Sequence, residues 1–309
     1  MATYLGSRSL ACARAFLEDA EADISSAGAL IGDDAEKNRV ALRLLIEGAE
    51  KALKALWLVF REHFERLKTM YPDLGGRCPE VADCLSRLLE VDPKSLGHEV
   101  SLGVLKAFAD AAYYLAGCEG GCRPLEELLQ GLAGPAEGRR IQALLQGLPR
   151  ETYCERLRDL RDRISRSRKK GKEKACGGPV KRPSRWASLC EDKEIRGLID
   201  EAVAEAARLL DDMEGEKARL AAGTANLRES LTEAAGLLLI YSSYLPLLLI
   251  ELHLATYPCY WPSRYRCEGP VPSEVLDRNL LEAVHDVARK AVNYMDEFLR
   301  LSETMLGAG

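Results

Sequence analysis

The chain has 309 residues, of which 47% are hydrophobic and 29% charged, so it can bury a substantial core and is not a disordered protein. Its net charge of -5 argues against a protein that binds nucleic acid over its whole surface. Aromatic residues make up only 6% of the chain. An apolar set dominated by Leu, Ala and Val favours helices over strands, and the sequence therefore predicts an all-α protein.

Apolar residues recur at helical spacing through most of the chain. The first predicted helix covers residues 5–30. The Gly-Asp-Asp at 32–34 ends it and offers an aspartate cap to a long second helix over 35–70. A helix over 79–90, which begins at a proline, and another over 100–116 follow.

The second half of the chain continues the helical pattern. Short helices are predicted over 125–132 and 136–148, and the stripe of Tyr153, Leu157, Leu160 and Ile164 predicts a helix flanked by arginines. Residues 169–186 have no periodicity and read as a flexible basic loop. Helices are predicted over 192–220, 226–257 and 273–306, with a proline-rich loop over 257–272 before the last.

The N-terminal residues lack the apolar core of a secretory signal, so we expect a cytoplasmic protein. Residues 234–250 carry no charge, but they are short for a span of ~20 residues and include Pro246 and several hydroxyl groups. We therefore predict a buried helix, and no membrane partner.

The chain has ten cysteines but only four Asn and three Gln, a depletion typical of proteins from thermophiles. Disulfides inside the cell are plausible in such organisms. The spacing pairs Cys78 with Cys84, Cys118 with Cys122 and Cys259 with Cys267, and predicts a loop-stapling disulfide in at least one pair. These spacings fit zinc poorly, so we expect no metal and no cofactor.

Three stretches, in this order along the chain, resemble proteins of the HEPN superfamily. They are EGAEKALKALWLVF (47–60), LGHEVSLGVLKAF (96–108), and YPCYWPSRY (257–265) leading into LLEAVHDVARKAVNYMDEFL (280–299). The resemblance implies an antiparallel helix bundle of HEPN type that forms a homodimer. Residues 1–117 and 226–309 would build the bundle, and residues 118–225 would be an insertion of short helices with a basic arm over 156–186.

Catalytic members of that family carry an Arg followed by a polar residue and then a His. Arg278, Asn279 and His285 match this pattern, at the long end of the family's spacing. In metal-independent RNA cleavage the His transfers protons and the Arg stabilises charge on the phosphate, while Asn279 would orient the His or the RNA. The alternative is a surface arginine in the first turn and an ordinary helical histidine.

The other three histidines are weaker candidates. His98, at a predicted helix start, would cap the helix or contact phosphate. His253 lies two residues from Glu251, so the two do not share a helix face and do not form a working pair. His63 lies among charges and is predicted to face solvent.

The basic arm holds thirteen Lys or Arg against three acidic residues between positions 156 and 186. Its arginines suit RNA phosphates, although a solvated insertion kept soluble by charge is the alternative. The predicted nucleic-acid-binding residues are Arg156, Arg158, Arg161, Arg163, Arg166, Arg168, Lys169, Lys170, Lys181, Arg182 and Arg185.

The resemblance and the basic arm together predict a HEPN-like RNA-binding protein. Its sharper form is a metal-independent endoribonuclease of the toxin or antiviral-defence type. The alternative is a non-catalytic helical module that binds a nucleotide or a protein partner such as a minimal nucleotidyltransferase. A helical scaffold without any ligand is the third interpretation.

Overall fold

A computed structural model of the chain describes residues 2–70, 102–115, 150–172, 194–224, 230–264 and 271–307, with the single residues Pro72, Pro79, Ser86, Cys118 and Cys190. Side chains are described for most of these residues, but not for residues 2–8 and 166–172. Over these residues the protein is all-α and has no strand, as the sequence predicts. Apart from Pro79 and Ser86, the helices predicted over 79–90, 125–132 and 136–148 lie outside the described residues.

The described part of the chain contains eight α-helices, and a short 3-10 turn, Tyr257–Cys259, joins the sixth to the seventh. The helices are α1 (Ala2–Leu30), α2 (Ala35–Met70), α3 (Leu102–Leu115), α4 (Arg150–Lys172), α5 (Ile195–Thr224), α6 (Ser230–Thr256), α7 (Tyr260–Arg264) and α8 (Arg278–Gly307).

Helix α2 is the centre of the bundle. Between positions 52 and 64 every side chain except Arg61 is buried, because α1, α6, α7 and α8 all pack against this helix. Helices α1 and α2 form an antiparallel hairpin, and Gly48 lets them approach closely. A methyl group at Gly48 would lie only 2.7 Å from Ile24 Cγ1 and 3.1 Å from the Ala20 carbonyl oxygen. This close approach accounts for a glycine in the middle of a long helix.

A single buried amide fixes the end of the bundle where α1 turns into α2. The Asn38 side chain donates hydrogen bonds to the carbonyl oxygens of Gly32 and Leu276, both at 2.8 Å, and accepts one from the Gly32 N–H at 2.9 Å. Asp34 caps α2, since its Oδ1 accepts from the backbone N–H of Glu36 at 2.9 Å. Asn38 therefore joins the α1–α2 turn to the segment that enters α8.

Most predicted helix ends differ from the structure by a few residues, and three differences have a clear physical reason. Helix α8 begins at Arg278 rather than 273, because Asp277 Oδ1 accepts the Leu280 N–H at 3.1 Å and caps the helix there. Residues 169–172 continue α4 and do not belong to a loop. The stretch 257–264 is helical in spite of Pro258 and Pro262, which lie in first turns where a missing N–H is tolerated.

Helix α6 is the most apolar element. The stretch Gly236–Cys259 is long and apolar enough to cross a membrane, but 83% of its apolar window is buried against the rest of the protein. It packs on α2, α5 and α8 and also touches α3 and α4. One such helix is weak support for a membrane span, since core helices of soluble proteins have the same composition. The predicted buried helix is confirmed.

In the described part of the chain, two disulfides join segments that are distant in sequence. Cys118, which follows α3, is bonded to Cys154 of α4, and Cys190, which precedes α5, is bonded to Cys259 after α6. The predicted local pairs 118/122 and 259/267 are wrong, because packing of distant helices, not sequence spacing, sets which thiols meet. Cys78 and Cys84 lie outside the described residues. Cys12 is an exposed free thiol.

Candidate functional site

Arg278 is the first residue of α8, and its side chain is 55% exposed. Its Nε donates a hydrogen bond to Glu282 Oε1 at 2.8 Å, and its Nη1 lies 3.8 Å from Asp33 Oδ1. The hydrogen bond to Glu282 and the nearby carboxylates raise the pKa of Arg278 above its ordinary value. Exposed ion pairs of this kind are weak and exchange readily with other partners.

His285 packs on the end of α1. A methyl group added at Gly28 would lie 2.6 Å from His285 Nε2 and 2.9 Å from its Cε1, so the imidazole occupies the space that the glycine leaves open. The side chain is 20% exposed, and its Nδ1 lies 3.9 Å from Asp286 Oδ1, too far for a hydrogen bond. No signal in the sequence marks Gly28, because its role depends on a contact between distant helices.

The three predicted catalytic residues share the first two turns of α8. Seven residues separate Arg278 from His285, about 10 Å along the helix axis, and the guanidinium points towards Glu282 and Asp33 rather than towards the imidazole. Asn279 is exposed beside Arg278. The side chains of Arg278 and His285 therefore both lie near the C-terminal end of α1, but they do not contact one another.

The structure corrects the prediction for His63, which is buried rather than solvent-facing. Its Nε2 forms a 2.9 Å hydrogen bond with Ser302 Oγ of α8, and its ring stacks on Phe298 at 5.9 Å between centroids. The Ser302 hydroxyl proton is given to the Phe298 carbonyl oxygen at 2.8 Å, so the His63 Nε2 is the donor. The prediction failed because α8 covers a helix face that looks charged in sequence.

His253 is also a core residue, whereas His98 lies outside the described residues. Only 1% of His253 is exposed, and its ring lies 4.7 Å from that of Tyr257. Neither ring nitrogen has a hydrogen-bond partner among the residues that the structure describes. A buried His253 does not form a solvent-accessible catalytic pair with Glu251. The described residues contain no group of three or more His, Cys, Asp or Glu side chains that is arranged to hold a metal ion.

Acidification from pH 7 to pH 5 is expected to destabilise the protein through these two buried histidines. Burial lowers the pKa of His63 to about 4, and burial together with the nearby Lys54 lowers that of His253 to about 3. In the unfolded chain both pKa values return to about 6.5. The unfolded state therefore takes up more protons below pH 6.5, and we expect a loss of about 2 kcal/mol of unfolding free energy per histidine at pH 5.

Denaturant unfolding at the two pH values measures this loss, and His63→Phe and His253→Phe should each remove about 2 kcal/mol of it. Burial raises the pKa values of Glu62 and Glu216, so these carboxyls add stability on acidification and reduce the net slope. A pH dependence that is unchanged in both variants would contradict the assignment.

Three of the α4 arginines that the structure describes, Arg156, Arg161 and Arg163, bind other parts of the chain. Arg161 Nε donates to Asp110 Oδ1 at 2.6 Å and stacks over Tyr113, and Arg156 Nη1 donates to Asp212 of α5 at 3.0 Å. Arg163 forms an ion pair with the buried Glu251 of α6. Arg158 is exposed. The other predicted nucleic-acid contacts have no described side chain: Arg166, Arg168, Lys169, Lys170, Lys181, Arg182 and Arg185.

Taken together, these features define an all-α protein with a charged edge at the start of its last helix. No family model matches the chain, and no curated protein or solved structure shows significant similarity to it. The HEPN resemblance of the three sequence stretches stays a prediction.

Proposed function

We propose that the protein is a HEPN-like helix bundle that binds RNA and cleaves it without a metal ion at Arg278, Asn279 and His285. One observation carries the proposal: the guanidinium and the imidazole lie against the same end of α1. Arg278 Nη1 is 3.8 Å from Asp33 Oδ1, and the His285 ring rests on Gly28.

Each residue would supply one part of the chemistry. His285 would take the proton of the 2′-hydroxyl or give one to the leaving oxygen, a task for which imidazole is suited near neutral pH. Arg278 would exchange its exposed carboxylate partners for the phosphate, and a planar guanidinium presents two parallel donors to phosphate oxygens. Asn279, one residue further on, would orient the RNA or the histidine.

The separation of about 10 Å along the helix axis suggests that one copy of the pair is not sufficient. We propose a homodimer in which the α8 edges of two subunits face each other, so that the arginine of one completes the site around the histidine of the other. Lys181, Arg182 and Arg185 would add salt-dependent affinity for the RNA backbone.

Incubation of the purified protein with single-stranded RNA in the presence of EDTA tests the proposal. His285→Ala should lower the cleavage rate by about 100-fold or more, the usual contribution of a general acid or base, and Arg278→Gln should lower it as well. Arg300→Gln is the matched control, since Arg300 is exposed further along the same helix and pairs with Asp296. Cleavage that survives His285→Ala would remove this histidine from the mechanism.

A non-catalytic helical module that binds a nucleotide or a protein partner, such as a minimal nucleotidyltransferase, is the second candidate. The carboxylates around the edge favour it. Glu282 and Asp33 already bind Arg278, and Asp286 lies beside His285, so the negative charge opposes an approaching phosphate. In the same assay this candidate predicts no cleavage by the wild-type protein, and none after Glu282→Gln.

A further inference from the structure

Three arginines from α2 and α7 meet on one side of the bundle. Arg39 and Arg43 lie one turn apart on α2, and Arg264 is the last residue of α7. Arg39 Nη1 donates to the Ser263 carbonyl oxygen at 3.1 Å, which holds the end of α7 against α2. Arg43 Nε and Arg264 Nη1 each lie 4.0 Å from the same atom, Oε1 of Glu47. We call Arg39, Arg43 and Arg264 the arginine cluster.

Arg39 and Arg43 do not use all of their hydrogen-bond donors within the described chain, whereas Arg264 Nη1 donates to the Tyr260 hydroxyl. The Nε atoms of Arg39 and Arg43 are buried and have no hydrogen-bond acceptor among the described residues, so a ligand would meet the more exposed ends of these guanidinium groups and reach the Nε atoms only if the side chains turn. Among the described residues, Glu47 is the ion-pair partner of Arg43, and its 4.0 Å distance is longer than a hydrogen bond. Buried donors without acceptors are costly, so the cluster would gain from a ligand that brings several oxygen atoms.

We propose that the arginine cluster is a binding site for a phosphate group. The side chains of Arg39, Arg43 and Arg264 are 19%, 34% and 43% exposed, so a ligand reaches them while they are partly shielded from water. Phosphate offers enough oxygens to bridge several guanidinium groups, each of which presents a planar fork of N–H donors. The excess of positive charge argues against a metal ion at this place.

Two acidic residues set the strength of the site. Glu36 pairs with Arg39 Nη2 at 3.3 Å, and its side chain is largely exposed. Glu47 lies between Arg43 and Arg264 and competes directly with the ligand for both. Its Oε1 also accepts a 3.4 Å hydrogen bond from the Tyr260 hydroxyl, which offers Glu47 a partner when the phosphate displaces the arginines. Removing the Glu47 charge should therefore strengthen phosphate binding.

The phosphate could belong to a free nucleotide or to the backbone of RNA. The arginine cluster lies at the same end of the bundle as Arg278, because Asn38, the neighbour of Arg39, is hydrogen-bonded to the Leu276 carbonyl oxygen. A nucleotide would need the cluster alone, whereas an RNA strand would pass along this end of the bundle. The site does not depend on the cleavage chemistry proposed for His285.

Calorimetric titration of the full chain with pyrophosphate, ATP and an eight-nucleotide RNA tests the site. Arg43→Gln should weaken binding by about tenfold or more, as expected for the loss of charge-assisted hydrogen bonds. Glu47→Gln should tighten binding, a change in the opposite direction that damage to the fold would not produce. Arg208→Gln is the charge-matched control, since Arg208 is 67% exposed on α5 and pairs there with Glu205.

Binding of pyrophosphate and ATP without RNA would support a nucleotide site, and binding of all three an RNA-backbone site. Failure of every probe to bind the wild-type protein would overturn the proposal, as would equal effects of Arg43→Gln and Arg208→Gln. The effect of Arg43→Gln should persist in a His285→Ala background, which cannot cleave the RNA probe, so that loss of the nuclease proposal and loss of this one are separate results.

Discussion

Loss of both disulfides is expected to lower the free energy of unfolding by about 4–8 kcal/mol, with about 2–4 kcal/mol from each. Cys118–Cys154 closes a sequence separation of 36 residues, and Cys190–Cys259 one of 69. A cross-link restricts the unfolded chain more strongly as the closed loop lengthens, so the second should contribute more than the first. Denaturant unfolding of the wild type and of a variant in which these four cysteines are serine measures the sum.

Paired substitutions separate the two contributions. The double variant Cys190→Ser/Cys259→Ser should lose more stability than Cys118→Ser/Cys154→Ser, and Cys12→Ser should have almost no effect because Cys12 is an exposed free thiol. Equal unfolding midpoints for the wild-type protein and the variant with all four serines would show that these cross-links do not stabilise the fold.

Lys54→Met is expected to destabilise the protein by about 3–5 kcal/mol, because it leaves the Glu50 carboxylate buried without its ammonium partner. Lys54 Nζ lies 2.6 Å from Glu50 Oε1, and the two side chains are only 7% and 8% exposed. The substitution also removes the positive charge that helps to lower the pKa of His253. That pKa should therefore rise in the variant, which NMR titration of the imidazole can measure.

The double variant Glu50→Gln/Lys54→Met should recover most of the lost stability, since no uncompensated charge stays in the core. Arg300→Met is the matched control for spacing: Arg300 and Asp296 form an i,i+4 pair on α8, but the Arg300 side chain is 71% exposed. Its loss should change the unfolding free energy by roughly 0.5 kcal/mol or less. Similar effects of Lys54→Met and Arg300→Met would contradict the role of burial.

The sequence predicts the long helices well because their apolar stripes are regular and their ends carry recognisable signals. The predicted helix over 35–70 agrees with α2 at both ends, and its expected aspartate cap is Asp34. The predicted start of α8 is too early because Val275 and Leu276 fit the apolar pattern of the helix. The helix itself begins only after Asp277, which caps it. A local capping hydrogen bond decides the boundary, and periodicity alone does not contain it.

The surroundings of the candidate site depend on contacts that a sequence does not display. Asp33 and Glu282 reach Arg278 only after α8 has packed beside the α1–α2 turn. Likewise, His63 lies in a run of charged residues, and its burial requires Ser302 from the other end of the chain. The same limit applies to the cysteines, whose partners belong to different helices.

The buried amide of Asn38 has a mechanical consequence for ligand binding. The Asn38 side chain is hydrogen-bonded both to Gly32 in the α1–α2 turn and to Leu276 in the segment before α8. Displacement of either segment therefore stretches the hydrogen bonds of Asn38 to the other. Arg39 directly follows Asn38 in α2, and Arg278 lies two positions after Leu276 at the start of α8. Binding of a ligand that displaces the backbone at Arg39 or at Arg278 would therefore also shift the backbone at the other arginine.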